Sequence, residues 1–264
     1  MNILGLGLGI HKGSTGTASS VLTPAEIAGG ADIWFDATQR ENVTENGGRV
    51  TSVRNSGNQS SQPNPGVVDW VLNYVGTEAT YEQTGGQNNL PFLKFTGSES
   101  FQIEQTDNLG TAANVNYGTE YTIMIIQDVG GTGTTRGVTG ARNPNGFVCR
   151  FNNSDVLIQS VYNSSSLASD SILPTGGQGF GIITCNTSDT NNTNSVRFNA
   201  QSNAPATVSG TPVSTSNIFV GKGNNTTQFY EGNIYEWALF KSSLSSADLD
   251  LLDAYVQDKY NFTY

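Results

Sequence analysis

The stretch VVDWVLNYV, residues 67–75, carries the pattern that decides the fold. Trp70, Leu72 and Tyr74 occupy alternate positions, so an extended chain places their side chains on one face, whereas Asn73 lies on the other. Such alternation is typical of an antiparallel strand with one face on a core and the other in water. The stretch therefore predicts a β-strand with one polar face and indicates an all-β protein.

Similar short runs of Val, Ile, Phe, Tyr and Thr, bounded by Gly, Asn or Pro, recur on both sides of this stretch. Besides residues 67–75, we expect strands at residues 31–36, 48–53, 91–95, 100–104, 120–128, 146–151, 155–161, 179–185, 194–200, 217–221 and 232–241. Loops rich in Asn, Gly and Ser are expected at residues 106–118, 130–145, 163–178 and 186–193. Residues 122–126 are the most uniformly apolar and predict a central strand. So many strands predict two packed sheets, which a single domain of this length can form.

Two capping patterns predict helices. A capping hydroxyl followed by proline in Thr23-Pro24-Ala25-Glu26 predicts a short helix near residues 24–28. Ser245 and Asp248 form a capping-box pattern, which predicts a second helix ending at about Tyr260. We expect one face of this second helix to pack, through Leu249, Leu252 and Val256, and the other to stay in water, through Asp250, Asp253 and Gln257.

Residues 1–22 lack strand alternation and are rich in glycine, so we expect an extended N-terminal arm that has no core of its own. Its large apolar residues are Ile3, Leu4, Leu6, Leu8 and Ile10. Glycines separate most of them, a pattern that favours strand addition to the edge of a neighbour's sheet. These five residues are the predicted partner-binding residues. The predicted organisation is the arm, residues 1–22, and one sandwich domain, residues 23–264.

Composition excludes some classes of partner. The chain has 264 residues, a net charge of −10 and no cluster of Lys or Arg, so it lacks the basic surface that binds a phosphate backbone. No stretch approaches the roughly 18 apolar residues of a membrane span. We therefore expect neither a nucleic-acid partner nor a membrane span.

The only two cysteines, Cys149 and Cys185, each lie in an apolar strand-like run. No CxxC spacing is present, and the sequence shows no secretory context, so we expect two reduced, buried thiols. A disulfide between neighbouring strands is the alternative.

The order of several short segments suggests a known family. They are DIWFDA at residues 32–37, GRVTSVRNSGN at 48–58, LPFLKFTG at 90–97, IFVG at 218–221, FYEGNIYEW at 229–237, LS at 244–245 and DKY at 258–260. Taken in order, they resemble the strands of concanavalin A-like lectin/glucanase (laminin-G-like) jelly rolls over roughly residues 24–264. The resemblance implies a two-sheet antiparallel jelly-roll sandwich. The glycine-rich residues 4–10, with Lys12, resemble the start of small structural proteins of tailed bacteriophages.

Glucanases of this fold use two carboxylates across the scissile bond. Their E-x-D-x-E type of signature is absent here, since Glu231 and Glu236 are five positions apart with no Asp between them. Glu236 is better interpreted as a structural acid of the closing strand. The only histidine, His11, lies in the arm and offers no basis for a catalytic triad. We therefore expect no enzymatic activity.

Metal and sugar sites remain open at this level. No cofactor is expected, although structural calcium is an alternative that the resemblance implies, with Asp36, Asp107 or Asp189 as carboxylate ligands. Trp70 and Tyr74 are expected in the core, and the alternative is that an exposed aromatic there serves as a glycan platform.

The resemblance favours a structural, decoration or fibre protein of a bacteriophage virion. Such a protein is made in the host cytoplasm, joins other capsid or tail proteins in a large or oligomeric assembly, and lies on the virion surface. Its lectin-like domain would serve adhesion or bind host-surface glycans. The second hypothesis is a free-standing carbohydrate-binding or adhesion module, and the third is a glycoside hydrolase. A fold hosts many functions, so the site has to decide among them.

Overall fold

The computed structural model of the protein describes residues 21–58, 69–107, 109, 114–131, 133–141, 146–162, 167–172, 179–207, 213–223 and 227–264. These residues contain twenty β-strands and one α-helix, α1 (Ser246–Tyr260). The strands are β1 (Ile33–Asp36), β2 (Val43–Asn46), β3 (Arg49–Arg54), β4 (Trp70–Tyr74), β5 (Thr80–Glu82), β6 (Phe92–Thr96), β7 (Phe101–Gln105), β8 (Val115–Asn116), β9 (Tyr121–Val129), β10 (Arg136–Ala141), β11 (Phe147–Phe151), β12 (Leu157–Tyr162), β13 (Leu167–Ile172), β14 (Phe180–Ser188), β15 (Thr193–Phe198), β16 (Gln201–Ser202), β17 (Ala206–Thr207), β18 (Thr215–Ser216), β19 (Ile218–Val220) and β20 (Glu231–Phe240).

The strands form an antiparallel sandwich of two sheets. The first sheet has the order β1-β20-β9-β14-β15, with the short β16 and β17 beside β15. The second has the order β2-β3-β4-β7-β19-β10-β11-β12-β13. β5 and β6 link β3 to the start of β20, so the ladder continues around one side of the sandwich. The predicted two-sheet jelly-roll sandwich is confirmed.

The main core fills the space between the two sheets. Phe35 and Trp237 enter it from the first sheet, with ring centroids 6.0 Å apart, and Leu72 and Phe101 enter it from the second. Large buried aromatic side chains of this kind each remove roughly 150–250 Å² from water. Apolar burial between the sheets is therefore the main force that holds them together.

A second core lies on the outer face of the first sheet, beneath α1. Trp34 belongs to this outer core, although the next residue, Phe35, belongs to the inner one. The same division applies along β9, where Ile125 faces the inner core and Ile126 the outer core. Because both faces of the first sheet are covered at β9, most of this strand is a continuous buried run that is largely apolar. The central position predicted for residues 122–126 is confirmed, since β9 lies between β20 and β14.

The C-terminal helix begins and ends where the sequence predicts. Ser245 Oγ accepts a hydrogen bond from Asp248 N, and Asp248 Oδ2 accepts one from Ser245 N, which completes the capping box. Leu252 and Val256 are fully buried against the sheet. The expectation that Asp253 stays in water is wrong. It is buried and forms an ion pair with the guanidinium of Arg197 on β15, which compensates its charge.

Three other expectations need correction. The segment near residues 24–28 is a turn followed by a 3₁₀ helix, Ile27–Gly29, because Ala28 adopts a left-handed conformation with φ of 53°. β10 lies within the predicted loop 130–145, and two glycines in its sequence RGVTGA hid the strand pattern. β13 lies within the predicted loop 163–178, and its sequence LASDSI is mostly small or polar. Polar content alone therefore does not mark a loop in this chain.

Residues 67–75 were predicted to form a strand, and β4 begins within them at Trp70. Residues 67 and 68 lie outside the described residues. Leu72 is buried in the inner core, whereas Asn73 on the other face donates a hydrogen bond to Glu104 Oε2 at 2.7 Å. No helix in the described part of the chain has the length and apolar character needed to cross a membrane.

Some backbone groups of β1 and β15 are bonded outside the strand ladders. On β1, Asn55 Oδ1 accepts a hydrogen bond from Trp34 N at 2.8 Å, and Ser56 N donates one to Trp34 O at 2.7 Å. On β15, Asp170 Oδ2 accepts a hydrogen bond from Val196 N at 2.8 Å. Each bond satisfies a backbone group of a buried residue.

Replacing Leu252 with Ala tests how firmly α1 is docked. Leu252 is fully buried, so the truncation should lower the free energy of unfolding by about 2–5 kcal/mol. The matched control is Leu251→Ala, because Leu251 is 38% exposed on the same helix and should cost less than about 1 kcal/mol. Urea unfolding followed by circular dichroism measures both. Equal losses in the two variants would contradict the docking described above.

Candidate functional site

A β-bulge in β20 positions the most unusual group of side chains. Ile234 pairs with Gln127 and Glu236 with Ile126, so Tyr235 is an extra residue on this strand. A bulge turns two successive side chains toward the same face. Tyr235 packs in the outer core, and Glu236 also points outward, beneath α1.

The Glu236 carboxylate is surrounded by hydrogen-bond donors. Its side chain has no solvent exposure. Trp34 Nε1 donates to Oε2 at 2.8 Å, Tyr255 OH donates to Oε1 at 2.9 Å, and Tyr260 OH donates to Oε1 at 2.7 Å. The ammonium of Lys259 completes the shell, with Nζ 2.7 Å from Oε1. A buried charge with this many fixed donors is fully compensated.

Asp36, at the end of β1, shares the same ammonium. Lys259 Nζ lies 2.8 Å from Asp36 Oδ2, and the Asp36 side chain is also fully buried. Thr38 N and Oγ1 donate to Asp36 Oδ1 at 2.9 and 2.6 Å, and Gln39 Nε2 donates to Oδ2 at 2.9 Å. We name Asp36, Glu236 and Lys259 the carboxylate–lysine cluster.

The pKa directions in this cluster follow from burial and charge. Burial raises the pKa of Glu236 above its ordinary value, although the ammonium of Lys259 opposes that rise. Burial by itself would lower the pKa of Lys259, but the carboxylates of Glu236 and Asp36 outweigh it and raise that pKa. Lys259 therefore stays charged at neutral pH and holds both carboxylates.

The cluster brings two carboxylates close together but lacks access for a substrate. Since Lys259 Nζ contacts both carboxylates, their nearest oxygens can be no more than about 5.5 Å apart, a spacing found between the carboxyl groups of retaining glycosidases. A catalytic acid must reach the bond it cleaves. Asp36 and Glu236 are buried and bound to fixed donors, so the arrangement anchors α1 to the sheet. The interpretation of Glu236 as a structural acid agrees with this geometry, but sequence reasoning missed the roles of Asp36 and Lys259.

The structure separates the two predicted glycan contacts. Trp70 is partly buried and packs against the inner core, as expected. The expectation that Tyr74 also lies in the core is wrong, because this residue ends β4 and is 38% exposed. The two residues occupy opposite ends of β4, four residues or about 13 Å apart along the strand. The two rings therefore form separate candidate contacts, of which Tyr74 is the more accessible. Glycan binding at these residues stays a prediction.

The sequence also predicted partner-binding residues in the arm and carboxylate ligands for calcium. The arm residues Ile3, Leu4, Leu6, Leu8 and Ile10 lie outside the described residues. Among the predicted calcium ligands, Asp36 is engaged by Lys259, Asp107 is exposed, and Asp189 is partly exposed. No group of three or more His, Cys, Asp or Glu side chains that would suit a metal occurs in the described ranges. Calcium binding stays a prediction.

Comparison with known proteins identifies the fold through structure rather than sequence. No family model matches the sequence, and no curated protein matches it. The binding domain of botulinum neurotoxin DC, solved in complex with SialylT, superposes with a TM-score of 0.58 at 12% identity over 86% of this chain. The binding domain of botulinum neurotoxin serotype G gives 0.56 at 11% identity over 85% of this chain. The chain has the fold of these toxin binding domains.

The likeness covers only part of each toxin domain. The chain spans about half of their length, 52% and 51% respectively. A carbohydrate-binding module of Ruminococcus gnavus sialidase, bound to α2,3-sialyllactose, is also similar, with a TM-score of 0.44, 12% identity, and coverage of 51% of this chain and 82% of the module. At 11–12% identity, the likeness to the two toxin binding domains shows a shared fold and not a shared function.

Replacing Lys259 with Met tests the anchoring role. The change leaves two carboxylates buried without a cation, so unfolding free energy at pH 7 should fall by about 3–5 kcal/mol. The folded-state pKa of Glu236 lies above its unfolded value. Removing the ammonium, which opposes that rise, moves this pKa further up, so protonation of Glu236 stabilises the variant more than the parent and the deficit should shrink as the pH falls from 7 to 5. Urea titrations of the variant and the parent protein at both pH values measure this change.

The control for this experiment is Lys241→Met. Lys241 is exposed, so its replacement should alter stability by less than about 0.5 kcal/mol at either pH. A small, pH-independent loss in Lys259→Met, indistinguishable from that of the control, would show that the cluster does not anchor α1.

Proposed function

We propose that this protein is a non-catalytic glycan-binding domain displayed on the surface of a bacteriophage particle. The observation that carries the binding part is the shared fold with toxin binding domains over 85% or more of the chain, one of them solved with SialylT. Binding on such a sandwich needs only an exposed surface with aromatic and polar groups. Catalysis would need an accessible carboxylate pair.

The carboxylates support a binding role over hydrolysis. Asp36 and Glu236 have suitable spacing, but they lie beneath α1 and are neutralised by Lys259. Glu231 is exposed, so it does not share an environment with the buried Glu236. These three carboxylates therefore do not support the glycoside hydrolase hypothesis.

Tyr74 is the proposed glycan contact. An exposed tyrosine ring offers an apolar face to a sugar and a hydroxyl for hydrogen bonding. The net charge of −10 disfavours anionic ligands at long range, so an uncharged host-surface glycan is the ligand class that we propose. No cofactor is needed for this binding.

The virion placement rests on the sequence of residues 1–22. In this proposal the alternating glycine and Leu or Ile residues pair with a sheet edge of a capsid or tail protein and hold the domain on the particle. The free-standing module is the second candidate, and the likeness to toxin binding domains supports it equally. Stoichiometric recovery from purified particles, measured by mass spectrometry, separates the two.

Glycan binding is tested with an array that contains neutral and sialylated glycans. Tyr74→Ala should weaken binding to the recognised glycan by about 3- to 10-fold, because one aromatic contact is lost. Tyr264→Ala is the control, since Tyr264 is also exposed, at 44%. Recovered glycans should have unchanged masses, in agreement with the absence of hydrolysis. Binding that is unchanged in Tyr74→Ala would move the site elsewhere, and absence of any binding would defeat the glycan proposal.

Attachment is tested by deleting residues 2–20. The truncated protein should remain folded, with a melting temperature within about 2 °C of the full chain, because the described core residues already form two extensive clusters. It should no longer be incorporated into particles. Particle-bound protein is quantified by mass spectrometry after purification. Normal incorporation of the truncated protein would rule out the arm as the attachment element.

A further inference from the structure

Both cysteines and an arginine are buried between the sheets, away from the carboxylate–lysine cluster. Cys149 and Cys185 are free thiols, as the sequence predicts. They lie on β11 and β14, which pair with other strands, so the alternative of a disulfide between neighbouring strands is wrong. Arg136, at the start of β10, differs from them because it brings a charge and several hydrogen-bond donors into the sandwich.

The guanidinium of Arg136 has donors that the described residues do not use. It lies 5.6 Å from the centre of the Phe151 ring, on the residue directly opposite in β11. Nη2 donates a hydrogen bond to Asp155 Oδ1 at 2.7 Å. Nε and Nη1 are buried and have no acceptor in the described part of the chain. A buried donor without an acceptor is costly, above all on a charged group, so an oxygen atom from outside the chain would be stabilised here.

Glu231, at the start of β20, approaches Arg136 from the opposite sheet. A Cβ atom built on Gly131 would lie 2.7 Å from Glu231 Oε2 and 3.4 Å from Arg136 Nη1. Oε2 and Nη1 are therefore at most about 6 Å apart, but they do not form an ion pair. One oxygen atom that bonds to both, at about 2.7–3.0 Å from each, spans such a gap. Glu231 is exposed, so a ligand enters from its side and Arg136 forms the floor.

Gly131 controls whether this gap admits a ligand atom. Any larger residue at this position would place its Cβ against the Glu231 carboxylate and beside Arg136 Nη1. Because Nη1 is buried, the backbone at Gly131 also has to shift as a ligand atom enters, and glycine permits such a movement. A glycine at this position therefore suits a binding gap.

We propose that Arg136 and Glu231 bind a hydroxyl group of the glycan, in a subsite that rests on the glycan-binding function proposed above. A hydroxyl oxygen accepts from Arg136 Nη1 while its proton is donated to Glu231 Oε2. A carboxylate ligand can only accept and an ammonium ligand can only donate, so neither satisfies both sides. Asp155 and Glu231 also place two negative charges around the single positive charge, which disfavours anionic ligands. The subsite therefore selects uncharged sugars with free hydroxyl groups.

The subsite and Tyr74 lie toward the same end of the second sheet. β4, β7, β19 and β10 are neighbours, and Tyr74, Phe101, Val220 and Thr139 form one row across them. Arg136 precedes Thr139 by three residues, toward the end of the sheet where β4 finishes. Strand spacing and rise put Arg136 and Tyr74 roughly 15–20 Å apart. An oligosaccharide, but not a monosaccharide, can contact both.

The experiment uses the full-length protein on the panel of neutral and sialylated glycans, with affinity read from the concentration dependence of binding. Gly131→Ala fills the gap and Glu231→Ala removes its acceptor, so each should weaken binding of neutral glycans about tenfold. The matched control is Glu41→Ala, because Glu41 is also an exposed carboxylate and should leave the affinity unchanged. Melting temperatures of all three variants show whether each is folded.

A second measurement needs no variant that must bind. The nitrogen–proton signal of Arg136 Nε, assigned by its loss in Arg136→Lys, should shift when a recognised neutral glycan is added to the parent protein. Unchanged affinity in Gly131→Ala and Glu231→Ala, while Tyr74→Ala weakens binding, would overturn the subsite and leave glycan binding in place. A constant Arg136 signal at saturation would assign the gap to water, and preference for sialylated glycans would overturn the ligand class. Absence of binding to every glycan would overturn both proposals.

Discussion

One ammonium group joins three distant parts of the chain. Lys259 on α1 contacts Asp36 at the end of β1 and Glu236 in the middle of β20. The first strand, the last strand and the helix therefore meet at Lys259. The net attraction within a buried ion cluster adds little to the free energy of unfolding, because burying the charges is itself costly. Breaking the cluster costs much more, because it leaves a charge unpaired in an apolar environment. The cluster therefore penalises any docking position of α1 that separates Lys259 from its two carboxylates.

The sequence predicted the strands that have a regular side-chain pattern and the helix that has a capping motif. Alternation in β4 and the apolar run of β9 followed from side-chain period, and the helix boundaries followed from the Ser245 cap. The missed strands, β10 and β13, contain glycine or small polar residues, and only pairing with neighbouring strands makes them extended. Asp253 was misplaced for a related reason. Its partner, Arg197, lies on another strand, and no pattern within the helix records that contact.

In the candidate site, too, local sequence predicted some features, whereas contacts between distant residues could not be predicted. Sequence reasoning recognised that Glu231 and Glu236 do not form a catalytic motif, but it could not see Asp36 beside Glu236, because the two residues are brought together by the pairing of β1 with β20. Their spacing alone would suggest a hydrolase. Burial, the shared lysine and the surrounding hydroxyl groups change that interpretation. Access to solvent is a property of the folded chain and has no signature in a short motif.

The capped backbone groups of β1 and β15 bear on how copies of the domain behave when crowded. A free strand edge is a template on which another chain can extend the sheet, and this is how domain swapping and fibrils begin. Asn55 and Asp170 fill such positions on β1 and β15 with side chains of the same molecule, and both hydrogen bonds are buried. Another copy could pair with these backbone groups only after local opening of the body, so strand exchange between copies is tied to the stability of the fold.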